Sequence, residues 1–499
     1  TAVEPQFADH VSQYGITWTF DKPYRVGQFV NGDWWVCPDT PEGTVLITDI
    51  TRPHRDHLQH ELDGSQINPT TAAQGYDSRE SGYNSAVNAA LALPVALMGD
   101  QSLVSSISWV EGELGCPSIV NGKPRPLLRI ACVLTCLGTP PPADAFRPSA
   151  YGNNKTLYRT SMIRWERLPA LSSVGPTPTL ASLEAKFGKF RLDQIGTYSP
   201  ADFLHPSEAM PWYGAAVCSE NGDAALRLCL NDPPAEKATL LIRYVQYGID
   251  LHGAARSGTR WRANGGIGPG RKLPILFAGL MLDDASMLAV GRDYTAADDK
   301  FAEDAQTWYV NEGDIGRALR SNHTGTAQGG SETTITLAAD HPSSYSSWIA
   351  EGRRIYLVAG KGAGQMRVAT AYDTTTKVAT VSPPWDTVPD ETTQYEVRGY
   401  EADHVGMPEY GIRHAAIPSM DCPTGPTAEY RAINGNALRG AVLAARLLGL
   451  KVAWNHDALF DYMDRYYELT APGGAWHPRP AGYQSAFAEA MWLAYRNDD

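Results

Sequence analysis

Hydrophobic and polar positions change period along this chain, and the changes divide it. From residue 1 to about 140 apolar residues alternate in short runs, "ITWTF", "VLITDIT" and "LLRIACVLTCL", which predicts a β-rich N-terminal region. Within it "VGQFVNGDWWV" predicts a hairpin, because Asn31-Gly32 between strand formers suits a tight type I′ turn. Residues 141–180, with "TPPPADAFRP" and "SSVGPTPT", are proline-rich and predict an irregular segment. Residues 181–322 shift to helical spacing. "PPAEKATLLIRYVQYGIDLHGAARSG" opens on prolines suited to a first turn, with one apolar stripe at 241, 242, 245 and 249 and a second at Tyr244, Tyr247 and Leu251. "GRKLPILFAGLMLDD" predicts another helix with Pro274 in its first turn. Over 323–400 the period returns to two in five Thr-, Ser- and Gly-rich runs, which predicts an inserted β-module. Residues 401–499 are helical again. Ala441, Ala444 and Ala445 leave room for a close neighbour, and Leu459, Phe460, Met463, Tyr466 and Tyr467 share a face.

Composition narrows the class. With 499 residues, two or three domains are expected, and 43% hydrophobic residues suffice for their cores. A net charge of −13 argues against nucleic acid as a partner but not against an anionic ligand at a locally basic cleft. No apolar run is long enough for a membrane span. The N-terminal stretch has no signal-peptide pattern; the expected localisation is secreted or periplasmic, and on that expectation the signal peptide is absent from this chain. Seven cysteines without zinc spacing read as buried thiols with at most one disulfide.

Paired helices over 180–320 and 400–499, joined by basic, aromatic loops and accompanied by β-rich regions, resemble the α/α-toroid polysaccharide-degrading enzymes, most of all the uronate polysaccharide lyases. The resemblance implies a multidomain α+β chain built on a helical toroid. It also implies β-elimination on an anionic, uronic-acid-containing polysaccharide without a cofactor. Such a lyase neutralises the sugar carboxylate with a cation or amide, removes the C5 proton with Tyr or His, and protonates the leaving oxygen.

Four stretches offer those groups. In "YVQYGIDLHGAARSGTRWRAN", His252 continues the inward stripe as candidate base, followed by Arg256, Arg260, Trp261, Arg262 and Asn264 as substrate ligands. The glycine-rich loop at 265–270 then opens a helix at Arg271 and Lys272, which predicts a cradle for a carboxylate or sulfate. In "LHPSEAMPWYG", His205 and Trp212 are candidate ligands and Tyr213 a candidate catalytic group. In "DHVGMPEYGIRHAA", Tyr410 and His414 are four apart and would share a helical face as candidate base and acid, with His404 preceding them as a candidate ligand. In "HRDHLQHELDG", His54, His57 and His60 would form a helical stripe near Glu61 and Asp63. The metalloprotease motif is absent, so no metal is assigned and His60 is taken as a rim ligand.

Two other classes use the same features. A toroid glycoside hydrolase would need two carboxylates from Glu208, Asp250, Asp283, Asp284 and Glu409. A non-catalytic glycan-binding surface protein would need only the aromatics and the β-module.

Overall fold

Alternation in "ITWTF" places Ile16, Trp18 and Phe20 on one side of a strand, and that side is buried. The computed structural model describes residues 6–52, 55–194, 204–315, 323–341, 353–411 and 431–497. They divide into two units, the first comprising Thr1–Ala302, Ala437–His456 and Gln484–Asp499, the second Glu303–Asn436 and Asp457–Tyr483.

In the first unit, β1 (Gln6–Gln13), β2 (Ile16–Gln28), β3 (Trp34–Cys37) and β4 (Thr44–Thr51) open the chain. β5 (Arg55–His57) and β6 (His60–Leu62) form a small hairpin of their own, and β7 (Ser65–Ile67) follows. β8 (Val95–Met98), β9 (Gln101–Ser108), a second small hairpin of β10 (Ile119–Val120) and β11 (Lys123–Pro124), and β12 (Leu128–Cys136) complete the set. The large sheet runs β7-β9-β12-β3-β2-β4-β8, with β1 also paired to β2, and curls nearly into a barrel. β12 pairs parallel with β3, and the other ladders are antiparallel. Trp18, Val45, Ile47, Leu103, Ile130 and Leu134 fill one face, while Phe29, Trp35, Cys37, Leu137 and Ala145 pack together as a separate cluster.

Helices α1 (Leu180–Phe187), α2 (Gly214–Leu228), α3 (Pro234–Arg256) and α4 (Lys272–Leu282) belong to the same unit. Pro234 occupies the first turn of α3, where a missing N–H is harmless. Gly248 lets α3 and α4 touch: a Cβ there would lie 2.2 Å from the Pro274 carbonyl oxygen. α5 (Arg431–Leu447) passes Ala441 against α2 at Gly222, whose added Cβ would lie 2.7 Å from the Ala441 nitrogen. α6 (Asp457–Thr470) lies in the second unit and α7 (Ala486–Tyr495) in the first.

The expected helical toroid is not present. Helix makes up 31% of the structure and strand 26%, and no clear α/α toroid forms. The physical reason lies in what the helix faces meet. Periodicity shows that a helix buries a face, but not against what. α4 buries ten of its eleven residues. α3 uses Gln246 and Asp250 to hold Arg147, which in turn holds Asp33 in the β2–β3 hairpin. Its faces serve the sheet as well as other helices.

In the second unit, β14 (His323–Thr326), β15 (Gly329–Ser331), β16 (Thr334–Thr336), β17 (Arg354–Ala359), β18 (Met366–Asp373), β19 (Val378–Ser382) and β20 (Gln394–Arg398) form a seven-stranded antiparallel sheet. Its order is β14-β20-β17-β18-β19-β16-β15, over a core that includes Ile335, Leu357, Ala369, Trp385 and Val397. β13 (Thr307–Tyr309) pairs with β21 (Pro408–Tyr410), between which that sheet is inserted in sequence. No described helix is long and apolar enough to cross a membrane.

Candidate functional site

On α3 the spacing three–one–three puts Ile249, His252, Gly253 and Arg256 on one face, and all four line a cavity of about 370 Å³. The opposite wall is the segment from Ser149 to Tyr158. It approaches α3 so closely that a Cβ on Gly253 would lie 1.7 Å from Ser149 Oγ. Gly152, at φ +65°, turns this segment over Ser257. Asn153 and Asn154 follow. Their side-chain oxygens accept from Asn68 and from Thr156, which leaves the amide NH2 groups as donors at the wall. Asp284 and Ser286 close the cavity from the turn after α4.

The electrostatics centre on His252. Burial drives its pKa from 6.5 down to about 4, with Asp284 opposing the shift and Arg256 adding to it. The imidazole is therefore neutral at neutral pH. Its Nε2 lies 3.4 Å from Ser286 Oγ. Asp284 accepts from the Tyr158 hydroxyl at 2.7 Å and from the Met287 N–H at 2.8 Å. Burial and that bond to Asp284 raise the Tyr158 pKa. Arg256 is exposed at the end of α3, with no ion-pair partner among the described residues.

The other expected site residues are placed elsewhere. The glycine-rich loop is an internal packing device, not an anion cradle. Its Gly266 carbonyl accepts from the Ala215 N–H at the start of α2. Arg271 is fully buried and donates to the Pro269 carbonyl at 2.8 Å and to Asp193 at 3.4 Å. Lys272 is fully buried and donates to the Trp454 carbonyl. Trp261 is buried and donates its indole N–H to Asp193 at 2.6 Å. Arg262 lies 3.8 Å from Asp299, and neither it, Arg260 nor Asn264 lines the cavity.

His205 is buried 4.0 Å from Asp193, its pKa pushed down to about 4 by burial. Trp212 is exposed beside Tyr213, their rings 4.9 Å apart, and Tyr213 stands just ahead of α2. His57 and His60 face each other across the β5–β6 hairpin rather than along a helix, and His60 Nδ1 is 3.5 Å from Ser78 Oγ. His54 lies outside the described residues, among which no group of three or more metal-ligating side chains converges. In the second unit Tyr410 is a buried strand residue, not helical, bonded to Gln306, and His404 Nδ1 accepts from the Glu401 N–H. His414 lies outside the described residues.

Each candidate carboxylate for a hydrolase is already engaged. Glu208 meets Arg129 and Lys189, Asp250 meets Arg147, Asp283 meets Arg167, and Glu409 meets Arg431. Among the described residues, Asp284 is the one carboxylate in the cavity wall.

Tyr158, Asn153, Asn154 and Ser286 were not singled out by sequence. The cue was present in "YGNNKTLY", a Gly-Asn-Asn turn between two tyrosines inside a stretch that composition marks as irregular. No family model matches the chain, and no curated protein or solved structure is similar to it.

Proposed function

We propose that the His252 cavity binds one acidic sugar of a uronic-acid-containing polysaccharide and cleaves the chain by β-elimination. The observation that carries this reading is a neutral, buried imidazole set one helical turn from an exposed arginine, in a cavity whose other side chains are hydroxyls, amides, the Asp284 carboxylate and the apolar Ile249 and Met287. Arg256 pairs with the sugar carboxylate and makes the C5 proton acidic. The His252 imidazole takes that proton, the C5–H electron pair becomes the C4=C5 double bond, and the C4–O bond breaks. The imidazolium then returns its proton to the departing oxygen. A conjugate acid of low pKa suits the second half of this exchange, and the negative charge of Asp284 steadies the transient imidazolium. Two-carboxylate hydrolysis would need a second carboxylate beside Asp284, and the described lining residues supply none.

The test is a panel of polygalacturonate, alginate and hyaluronate, read for ultraviolet absorbance of unsaturated uronate and for reducing ends. Elimination gives both together. Reducing ends without absorbance would mean hydrolysis. On the polymer that is cleaved, Arg256→Ala should lower kcat/KM by roughly 10- to 100-fold, chiefly through KM, as expected for losing a charged hydrogen bond. An unchanged KM would remove Arg256 from the site.

A further inference from the structure

We infer that the first unit carries a second saccharide-holding subsite around Trp212, which shares no lining residue with the His252 cavity. A groove of about 440 Å³ is walled by Pro117, Val120, Pro126, Met210, Pro211 and Trp212. Ser118, Ser207 and Arg125 supply its polar groups, and Arg125 is its one titratable side chain. Trp212 is 47% exposed, an unusual state for the largest apolar side chain. The Arg125 guanidinium lies 5.6 Å from the centre of the indole ring.

This chemistry selects its occupant. A pyranose ring has a face of C–H groups that packs on flat apolar surface, while its hydroxyls stay in water at the groove mouth. A single cation beside the ring matches a sugar carboxylate. The described lining residues include no histidine, carboxylate or thiol, and the role inferred for the groove is to hold the sugar. Two short elements set its walls: the β10–β11 hairpin leads into Arg125 and Pro126, and the stretch ahead of α2 presents Met210, Pro211 and Trp212. The ligand class, an acidic polysaccharide, rests on the reading proposed above.

Gel electrophoresis through polygalacturonate, alginate, hyaluronate or neutral dextran reads binding without turnover. At least one acidic polymer should retard the wild-type protein, and Trp212→Ala should weaken that retention about tenfold, the loss of one aromatic stacking contact. Arg125→Ala should narrow the preference for acidic polymer over dextran. His252→Ala should leave retention on this subsite intact. If no polymer retards the protein, or if Trp212→Ala is retarded like wild type with an unchanged circular dichroism spectrum, the subsite is wrong. Retention that depends on Trp212 without any cleavage would uphold the subsite and overturn the elimination reading alone.

Discussion

Replacing Arg147 by Ala should cost about 3–5 kcal/mol of folding free energy, the usual penalty for removing one partner from a buried ion cluster. The guanidinium is almost completely buried. It donates from Nε to Asp33 at 2.6 Å, from Nη1 to Asp250 at 2.9 Å, and from Nη2 to the second oxygen of Asp250. Nη1 also reaches the Pro148 carbonyl, and the Arg147 backbone is held at both ends by the Gln246 amide. Without the arginine, two carboxylates stay in a dry interior facing each other. Burial already raises the Asp250 pKa with the arginine in place. Lysine should not rescue the variant, because an ammonium cannot donate to both carboxylates in the same plane. By contrast Arg262→Ala, which removes a half-exposed pair at 3.8 Å, should change stability by less than about 1 kcal/mol. Denaturant unfolding of the three proteins checks this. A loss for Arg147→Ala no larger than for Arg262→Ala would show that the cluster does not hold the hairpin, the 147–150 segment and α3 together.

Stability should fall steeply as the solution is acidified from about pH 6.5 towards pH 4. His205, His252 and His341 are buried, and burial is the main cause that brings the pKa of each from 6.5 to about 4. Below pH 6.5 the unfolded chain binds protons that the folded chain refuses, so proton uptake favours unfolding until the folded pKa is reached. The interval corresponds to at most about 3 kcal/mol per histidine. His205 and His252 both belong to the first unit, which therefore loses up to about 6 kcal/mol, comparable with the whole stability of a typical domain. His341 acts in the β-module of the second unit, where its ring stacks on His323 at 4.9 Å and the two would repel once charged. Unfolding free energies measured at pH 7, 6 and 5 should decline in turn. Equal values at pH 7 and pH 5 would mean that these rings are reached by water and protonate in the folded protein.

Local chemistry made part of this molecule readable. Alternation found β2, and Asn31-Gly32 marked the hairpin but not its turn type: the loop runs from Phe29 to Asp33, and only Gly32, at φ +90°, has the positive φ that a type I′ turn needs at both residues. Proline and stripe spacing found α3, and with it the pairing of His252 and Arg256 on one face. What stayed hidden depends on partners distant in sequence. Arg271 and Trp261 read as surface ligands because nothing nearby announces Asp193, which binds both from more than sixty residues away. The three-residue spacing of His57 and His60 matches a helix. The turn between them, with Leu58 and Gln59 both at positive φ, contains no Gly or Asn to betray it. The toroid failed for a related reason. Helical periodicity is a property of each segment, whereas the surface that covers it is a property of the whole chain, here including a large sheet.

On the proposed function, His252 moves the proton in an elimination reaction. The direct measurement is turnover by His252→Ala beside wild type, read as unsaturated-uronate absorbance on whichever polymer of the panel is cleaved, with polymer retention measured separately. Loss of a general base and acid should lower kcat by roughly 10²- to 10⁴-fold while retention stays close to that of wild type. Turnover equal to that of wild type would show that the buried imidazole only packs the cavity wall and moves no proton.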